Sequence, residues 1–174
     1  MEAIKVKGKL ESICPILFDR YNGVNDANDL EAKKNAIQKL YLNEKGEICI
    51  PAPCLKASVR EAGKEIGKKM ESRKREQSIR AGLFLVPTMF TLKIKKPDDI
   101  FGIPVTRKGT GNKVTRVVSY RPMVNKWEID FDAVLFGLTP EFIQQAIELA
   151  GFKYGLCGYR PEYGRFILKA FSII

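Results

Sequence analysis

Residues 155–166 run Gly155-Leu156-Cys157-Gly158-Tyr159-Arg160-Pro161-Glu162-Tyr163-Gly164-Arg165-Phe166. Three glycines in so short a stretch let the backbone take positive φ, or come close to a ligand where a Cβ would collide. Arg160 and Arg165 carry planar forks that match phosphate oxygens. Tyr159 and Tyr163 offer flat faces on which bases stack. Gly158, Tyr159, Arg160, Tyr163, Gly164 and Arg165 are therefore candidates for binding a polyanion with aromatic bases. The competing reading is a tight turn with surface charges.

A second set lies upstream. Lys56, Arg60, Lys64 and Lys68 recur every four residues, beside an apolar row of Leu55, Val59, Ala62, Ile66 and Met70. The spacing predicts one helix with a buried face and a cationic row next to it. Like charges in a row repel, so the pattern points to an anion running past. A solvated helix side is the alternative.

The chemistry excluded is as informative. Among 174 residues there is no histidine. This removes the commonest general base and metal ligand, and with it Ser-His and Cys-His nucleophilic mechanisms. The four cysteines, Cys14, Cys49, Cys54 and Cys157, lack zinc-site spacing and read as reduced thiols in or near a core. The expected compartment is the cytoplasm. No apolar run is long enough for a membrane span, the alternating first residues hold no signal-peptide core, and no cofactor is implied.

The net charge of +10 is segregated. Residues 56–80 hold nine basic and four acidic side chains, residues 105–126 six basic and no acidic ones, and residues 127–152 five acidic and no basic ones. Separated basic segments suggest a single stripe in space, the footprint of a phosphate-binding groove. Arg107, Lys108, Lys113, Arg116 and Arg121 extend the candidate set into the middle segment.

The elements that must position these residues follow from periodicity. Residues 3–18 alternate and then turn apolar, as one long strand. Residues 19–47 are polar and read as an insertion with a short helix near Leu30 to Leu42. The helix carrying Lys56 follows Pro51 and Pro53. Residues 83–95 read as one or two strands, bent or at an edge at Pro87. Residues 105–120 read as a projecting β-hairpin around Gly109 and Gly111, its arms too polar for a core. Trp127, Ile129, Phe131 and Ala133 alternate with acidic residues, as in a half-exposed strand. Thr139 fits an N-cap, Pro140 the first helical position and Gly151 the helix end. Phe166 to Ile173 form the last strand. The expectation is one α+β domain over 1–174: a ferredoxin-like or RRM-like β-α-β-β-α-β antiparallel sheet, with the insertion after the first strand and the projecting hairpin.

The stretch Ile50-Pro51-Ala52-Pro53-Cys54-Leu55-Lys56-Ala57-Ser58-Val59-Arg60 resembles the pattern after the first strand in the RAMP superfamily of CRISPR-associated proteins. Gly155 to Arg165 is similar to that superfamily's glycine-rich loop, and the hairpin to the thumb of the backbone subunits of effector complexes. Ala57 departs from the usual glycine after the lysine, and the chain is shorter than most backbone subunits, as in a compact phage or mobile-element relative. The resemblance implies that Lys56 and Arg60 contact a guide strand and that Gly155, Gly158 and Gly164 form the glycine loop. The implied partner is single-stranded RNA, or DNA, with self-association into a filament or contact with other effector subunits. Two other functions stay open at this point. One is an endoribonuclease of the same superfamily, using Tyr159, Lys56 or Asp19; Asp26 and Asp29 lie in the same region. The other is a basic module that docks an acidic protein.

Overall fold

The computed structural model describes residues 3–24, 26, 28–108, 111 and 114–174. Antiparallel sheets and helices build a mixed α and β fold, compatible with the expected α+β class. Strand β1 (Ala3–Ser12) alternates in burial, with Val6, Gly8 and Leu10 inward. It does not continue to Phe18 as the sequence suggested. Pro15 lacks an N–H for a ladder, the chain turns at Ile13 to Pro15, and β2 (Ile16–Leu17) joins a different sheet.

In the segment 19–47, helix α1 (Asp29–Asn35) starts where the Asn28 side chain accepts from the Glu31 N–H at 3.0 Å. A 3₁₀ turn, Ala36–Lys39, follows, and Ala36 and Leu40 pin the segment to the body. The short β3 (Cys49–Pro51) leads directly into α2 (Ala52–Gly63). Leu55, Val59 and Ala62 are fully buried, as the periodicity predicts. The helix nevertheless stops short of Met70, which is 98% exposed. An added Cβ at Gly63 would lie 2.2 Å from Ile79 Cδ1, so glycine is what allows the next helix to pack there. Arg75 closes the helix end. Its Nε donates to the Gly63 carbonyl at 3.1 Å, and one Nη to those of Lys64 and Lys68 at 3.0 and 2.8 Å. The guanidinium thereby satisfies the Gly63 and Lys64 carbonyls, which the helix terminus leaves without partners, and ties down Lys68 beyond it.

Helix α3 (Ser72–Gly82), which the sequence reading did not place, supplies that arginine. Next come β4 (Leu83–Val86) and, past Pro87, β5 (Met89–Thr91), which pairs with β3. Strands β6 (Asp99–Lys108) and β7 (Val114–Val124) pair antiparallel from Asp99 opposite Met123 to Lys108 opposite Val114. The ribbon is longer than the expected 105–120 because Ile100, Phe101 and Ile103 extend it toward the body. Gly109, Thr110, Asn112 and Lys113 of the expected turn lie outside the described residues.

Strand β8 (Glu128–Phe136) buries Ile129, Phe131, Ala133 and Leu135 and exposes Glu128, Asp130 and Asp132. Helix α4 (Pro140–Leu149) has its N-cap at Thr139, whose side chain accepts from the Phe142 N–H at 3.3 Å. The expected stop at Gly151 is displaced. The chain runs on through a π turn, Ala150–Tyr154, and leaves it at Gly155 with φ +71°. Gly151 serves packing instead: a Cβ there would sit 2.2 Å from the Phe166 carbonyl oxygen. Strand β9 (Phe166–Ile173) ends the fold.

The main sheet has the order β4-β8-β1-β9, all neighbours antiparallel. Its inner face packs against α2 and α4 through one core that includes Val6, Leu55, Phe131, Ile143 and Phe166. A second sheet has the order β2-β7-β6. Among the described residues, no helix is long and apolar enough to cross a membrane.

Candidate nucleic-acid interface

Because Leu55, Val59 and Ala62 fix the rotation of α2, Lys56 and Arg60 face a groove between α2, α3 and β4. The groove has a volume of about 530 Å³, and its walls include Lys56, Arg60, Arg80 and Phe84. Lys56 Nζ lies 5.2 Å from the centroid of the Phe84 ring. Partial burial pushes the Lys56 ammonium below its ordinary pKa, and the charges of Arg60 and Arg80 push it further. Among the described residues, no carboxylate lines the groove. Lys56 and Arg80, with Arg60 shared loosely with carboxylates outside the lining, surround an apolar floor in an anion-accepting geometry, since a phosphate would relieve the repulsion that Lys56 feels.

The cationic row does not persist along the helix. Lys64 sits at the C-cap, with its Nζ 2.9 Å from Glu61 and 3.3 Å from Glu76 of α3. The Glu61 hydrogen bond lifts its pKa, burial opposes the lift, and Glu76 adds to it. Arg60 shares these carboxylates more loosely, at 3.4 Å from Glu76 and 3.8 Å from Glu61. Lys68 lies beyond the helix. The structure therefore brings Lys56 and Arg60 into the groove, adds Arg80 and Phe84, and leaves Lys64 largely neutralised by its partners.

The glycine-rich loop folds back on itself and onto the turn after β1. Leu156 N–H donates to the Gly164 carbonyl at 2.9 Å, Gly158 N–H to Leu17 at 2.8 Å and Gly164 N–H to Pro15 at 2.8 Å. Gly164 has φ +77°, and a Cβ there would lie 2.1 Å from the Leu156 carbonyl oxygen. Its glycine is thus required by the loop's own backbone, a reason the sequence could not supply. At Gly158 the nearest atoms to an added Cβ are Leu17 O at 3.1 Å and Asp19 Cβ at 3.3 Å.

Side chains of the loop meet β6 and β7. Arg121 pairs with Asp19 at 2.8 Å and lies 4.9 Å from the Tyr159 ring centroid. Tyr163 stacks obliquely on Phe101, with centroids 5.8 Å apart. Lys39 donates to the Tyr120 carbonyl at 2.9 Å and lies 3.7 Å from Asp19. Arg121 is thereby mostly enclosed, its side chain 13% exposed, whereas Arg160 is exposed and Arg165 half-buried. Among the described residues, nitrogens of Arg60, Arg121 and Arg165 also lack hydrogen-bond partners.

Arg116 is exposed, but it stands five residues from Arg121 along β7, about 17 Å at the usual rise of a strand. The odd spacing puts the two on opposite faces of the ribbon. Arg107 and Lys108 are the last residues of β6, and Lys113 lies outside the described residues. The two basic surfaces approach each other at the first turn of α2. Cys54 there lines a cavity together with Asp19, Tyr41, Cys157 and Gly158. Sequence reasoning missed Arg80, Phe84 and Lys39. The charge count over residues 56–80 contained Arg80, but only α3 turns it toward Lys56.

No family model matches the chain, and no curated protein matches it by sequence. Solved structures do. A chain in the cryo-EM structure of the type III-B Cmr-beta bound to cognate target RNA aligns with a TM-score of 0.56 and 14% identity, over 99% of this chain and 61% of that one. The present chain thus spans less than two thirds of that chain's length. Cmr6 from Pyrococcus furiosus aligns with a TM-score of 0.47 and 11% identity, over 97% and 98% of the two chains. At this identity the first likeness shows a shared fold and nothing further.

Proposed function

We propose that the chain is a RAMP-like, CRISPR-associated subunit that binds single-stranded RNA across the groove of α2 and the adjoining glycine-rich loop. The observation that carries this reading is the trio of Lys56, Arg60 and Arg80 around Phe84, with no carboxylate in the lining. The fold likeness to a chain of the type III-B Cmr-beta bound to cognate target RNA supports it. So does the exposed Arg160 on the loop that borders the start of α2. Phosphates supply affinity through the cations, and Phe84 and Tyr159 offer faces to bases without demanding a sequence.

In this reading β1, α2, β4, β8, α4 and β9 are the β-α-β-β-α-β ferredoxin-like core of a single domain over 1–174. Residues 19–47 are an insertion, and the β6–β7 ribbon is a projecting thumb. The thumb would touch a neighbouring copy or another effector subunit, and the protein would work in the cytoplasm. RNA is favoured over DNA, and binding over cleavage. Among the candidates for cleavage, Asp19 is held by Arg121 and Lys39, and Tyr159 lies against Arg121.

The test is fluorescence anisotropy of a labelled, unstructured RNA oligonucleotide as salt is raised. With Lys56, Arg60, Arg80 and Arg160 on phosphates, log affinity should fall with a slope of about −3 against log salt. That corresponds to a loss of roughly fiftyfold between about 50 and 200 mM. A DNA strand of the same sequence should bind more weakly. Absence of binding at the lowest salt, or a flat salt response, would overturn the reading.

A further inference from the structure

We propose that Cys54 and Cys157 form an oxidisable dithiol that closes reversibly into a disulfide, tying the glycine-rich loop to the first turn of α2. The two residues come from distant parts of the sequence, yet both line the same cavity of about 250 Å³, with Asp19, Tyr41 and Gly158. Both are free thiols and both are half-buried, so a small oxidant can reach them while bulk solvent is limited. Backbone hydrogen bonds from Gly158 to Leu17 and from Leu156 to Gly164 flank Cys157 and hold it in a left-handed conformation, with φ +61°. The loop is therefore fixed on the side from which it faces the helix.

The remaining cysteines are occupied otherwise. Cys49 is buried, and its thiol donates to the Glu47 carbonyl at 3.4 Å. Cys14 Sγ accepts the Arg165 N–H at 3.2 Å. Cys54 and Cys157, by contrast, share a cavity. Their environments divide the work between them. A hydrogen bond from Cys157 lowers the pKa of Cys54, the nearby charge of Arg160 lowers it further, and burial opposes both. The same hydrogen bond, then burial, raises Cys157 well above its ordinary value. These directions favour Cys54 as the attacking thiol and Cys157 as the resolving one.

The oxidant is a peroxide. The Cys54 thiolate attacks one peroxide oxygen, the O–O bond breaks, and protonation of the leaving oxygen releases water, leaving a sulfenic acid. The Cys157 sulfur then attacks the Cys54 sulfur. The S–S bond forms, the S–O bond breaks, and the hydroxyl leaves as a second water with the Cys157 proton. Two thiols are oxidised by two electrons and hydrogen peroxide is reduced to two waters. In a reducing compartment such a bond is transient and reports oxidative stress.

The experiment exposes the full chain to hydrogen peroxide near equimolar dose, followed by intact-mass measurement and peptide mapping. The expected result is a mass lower by two hydrogens, a Cys54–Cys157 linked peptide and reversal by dithiothreitol. Cys54→Ser and Cys157→Ser should each abolish the link completely. Dimedone should label Cys54 in the Cys157→Ser variant. The proposal is overturned if wild-type protein consumes peroxide without forming that link, or if Cys14 or Cys49 reacts before Cys54. These readouts involve no RNA, so they succeed or fail separately from the proposed function.

Discussion

Replacing Lys56 by glutamate is expected to make the protein more stable and a poorer RNA binder at the same time. Lys56 shares its groove with Arg60 and Arg80 and has no acidic neighbour in the lining. Its folded-state pKa is depressed by burial and by those two cations. For a depressed group, the stability present above the unfolded pKa is lost as pH falls through the folded value. At neutral pH the wild type therefore carries an ammonium that has no ion-pair partner among the described residues and is offset only by the Phe84 ring. A carboxylate in its place would face two guanidinium groups, a gain of a few tenths to about 1 kcal/mol after solvent screening. Losing one charge-assisted contact to phosphate should cost about 1.5–3 kcal/mol of binding, roughly ten- to hundredfold in Kd. Urea denaturation and RNA anisotropy on the same Lys56→Glu preparation read both quantities. A less stable variant, or one that binds as well as the wild type, would remove the groove from the account.

The second large effect belongs to the loop. Gly164→Ala should destabilise the fold by more than about 2 kcal/mol. Positive φ alone costs a non-glycine residue on the order of 1–3 kcal/mol, and the added Cβ would lie 2.1 Å from a backbone oxygen that cannot swing aside. The penalty falls on folding, because the obstruction is the loop's own Leu156 and not a ligand. Tyr163→Ala provides the contrast. It removes the ring against Phe101 and a stacking face worth about 1–3 kcal/mol per base, while leaving the backbone path intact. The midpoint and slope of urea unfolding separate the two variants. A Gly164→Ala protein as stable as the wild type would show that the turn relaxes easily.

These two cases also mark what could be read from the residues alone. Strands β8 and β9 and helix α4 were legible because alternation, the Thr139 cap and Pro140 all point the same way. Lys56 and Arg60 were legible because Leu55, Val59 and Ala62 fix which face of α2 is buried. Helix α3 was not. It buries only Ile79 and Gly82, so its charged sequence carries no apolar period. Everything that depends on α3 was hidden with it: the cap Arg75 places on α2, the neutralisation of Lys64 by Glu76, and the arrival of Arg80 beside Lys56. The long first strand was misread for a different reason. Its apolar run continues through Pro15, but the hydrogen-bond partners change from β9 to β7 there. Leu17 consequently became the anchor of the glycine-rich loop. The glycines themselves were conspicuous, although the obstruction at Gly164 proved to be internal.

In the proposed function RNA lies along the α2 groove and the loop beside it. Ultraviolet cross-linking of the full chain to a single-stranded RNA containing 4-thiouridine, followed by peptide mass spectrometry, tests it most directly. Cross-links are expected in the peptides that carry Lys56, Phe84 and Tyr159, and should disappear at high salt. Cross-links confined to the outer face of the main sheet, where Lys9 and Glu128 pair at 3.0 Å, would contradict it.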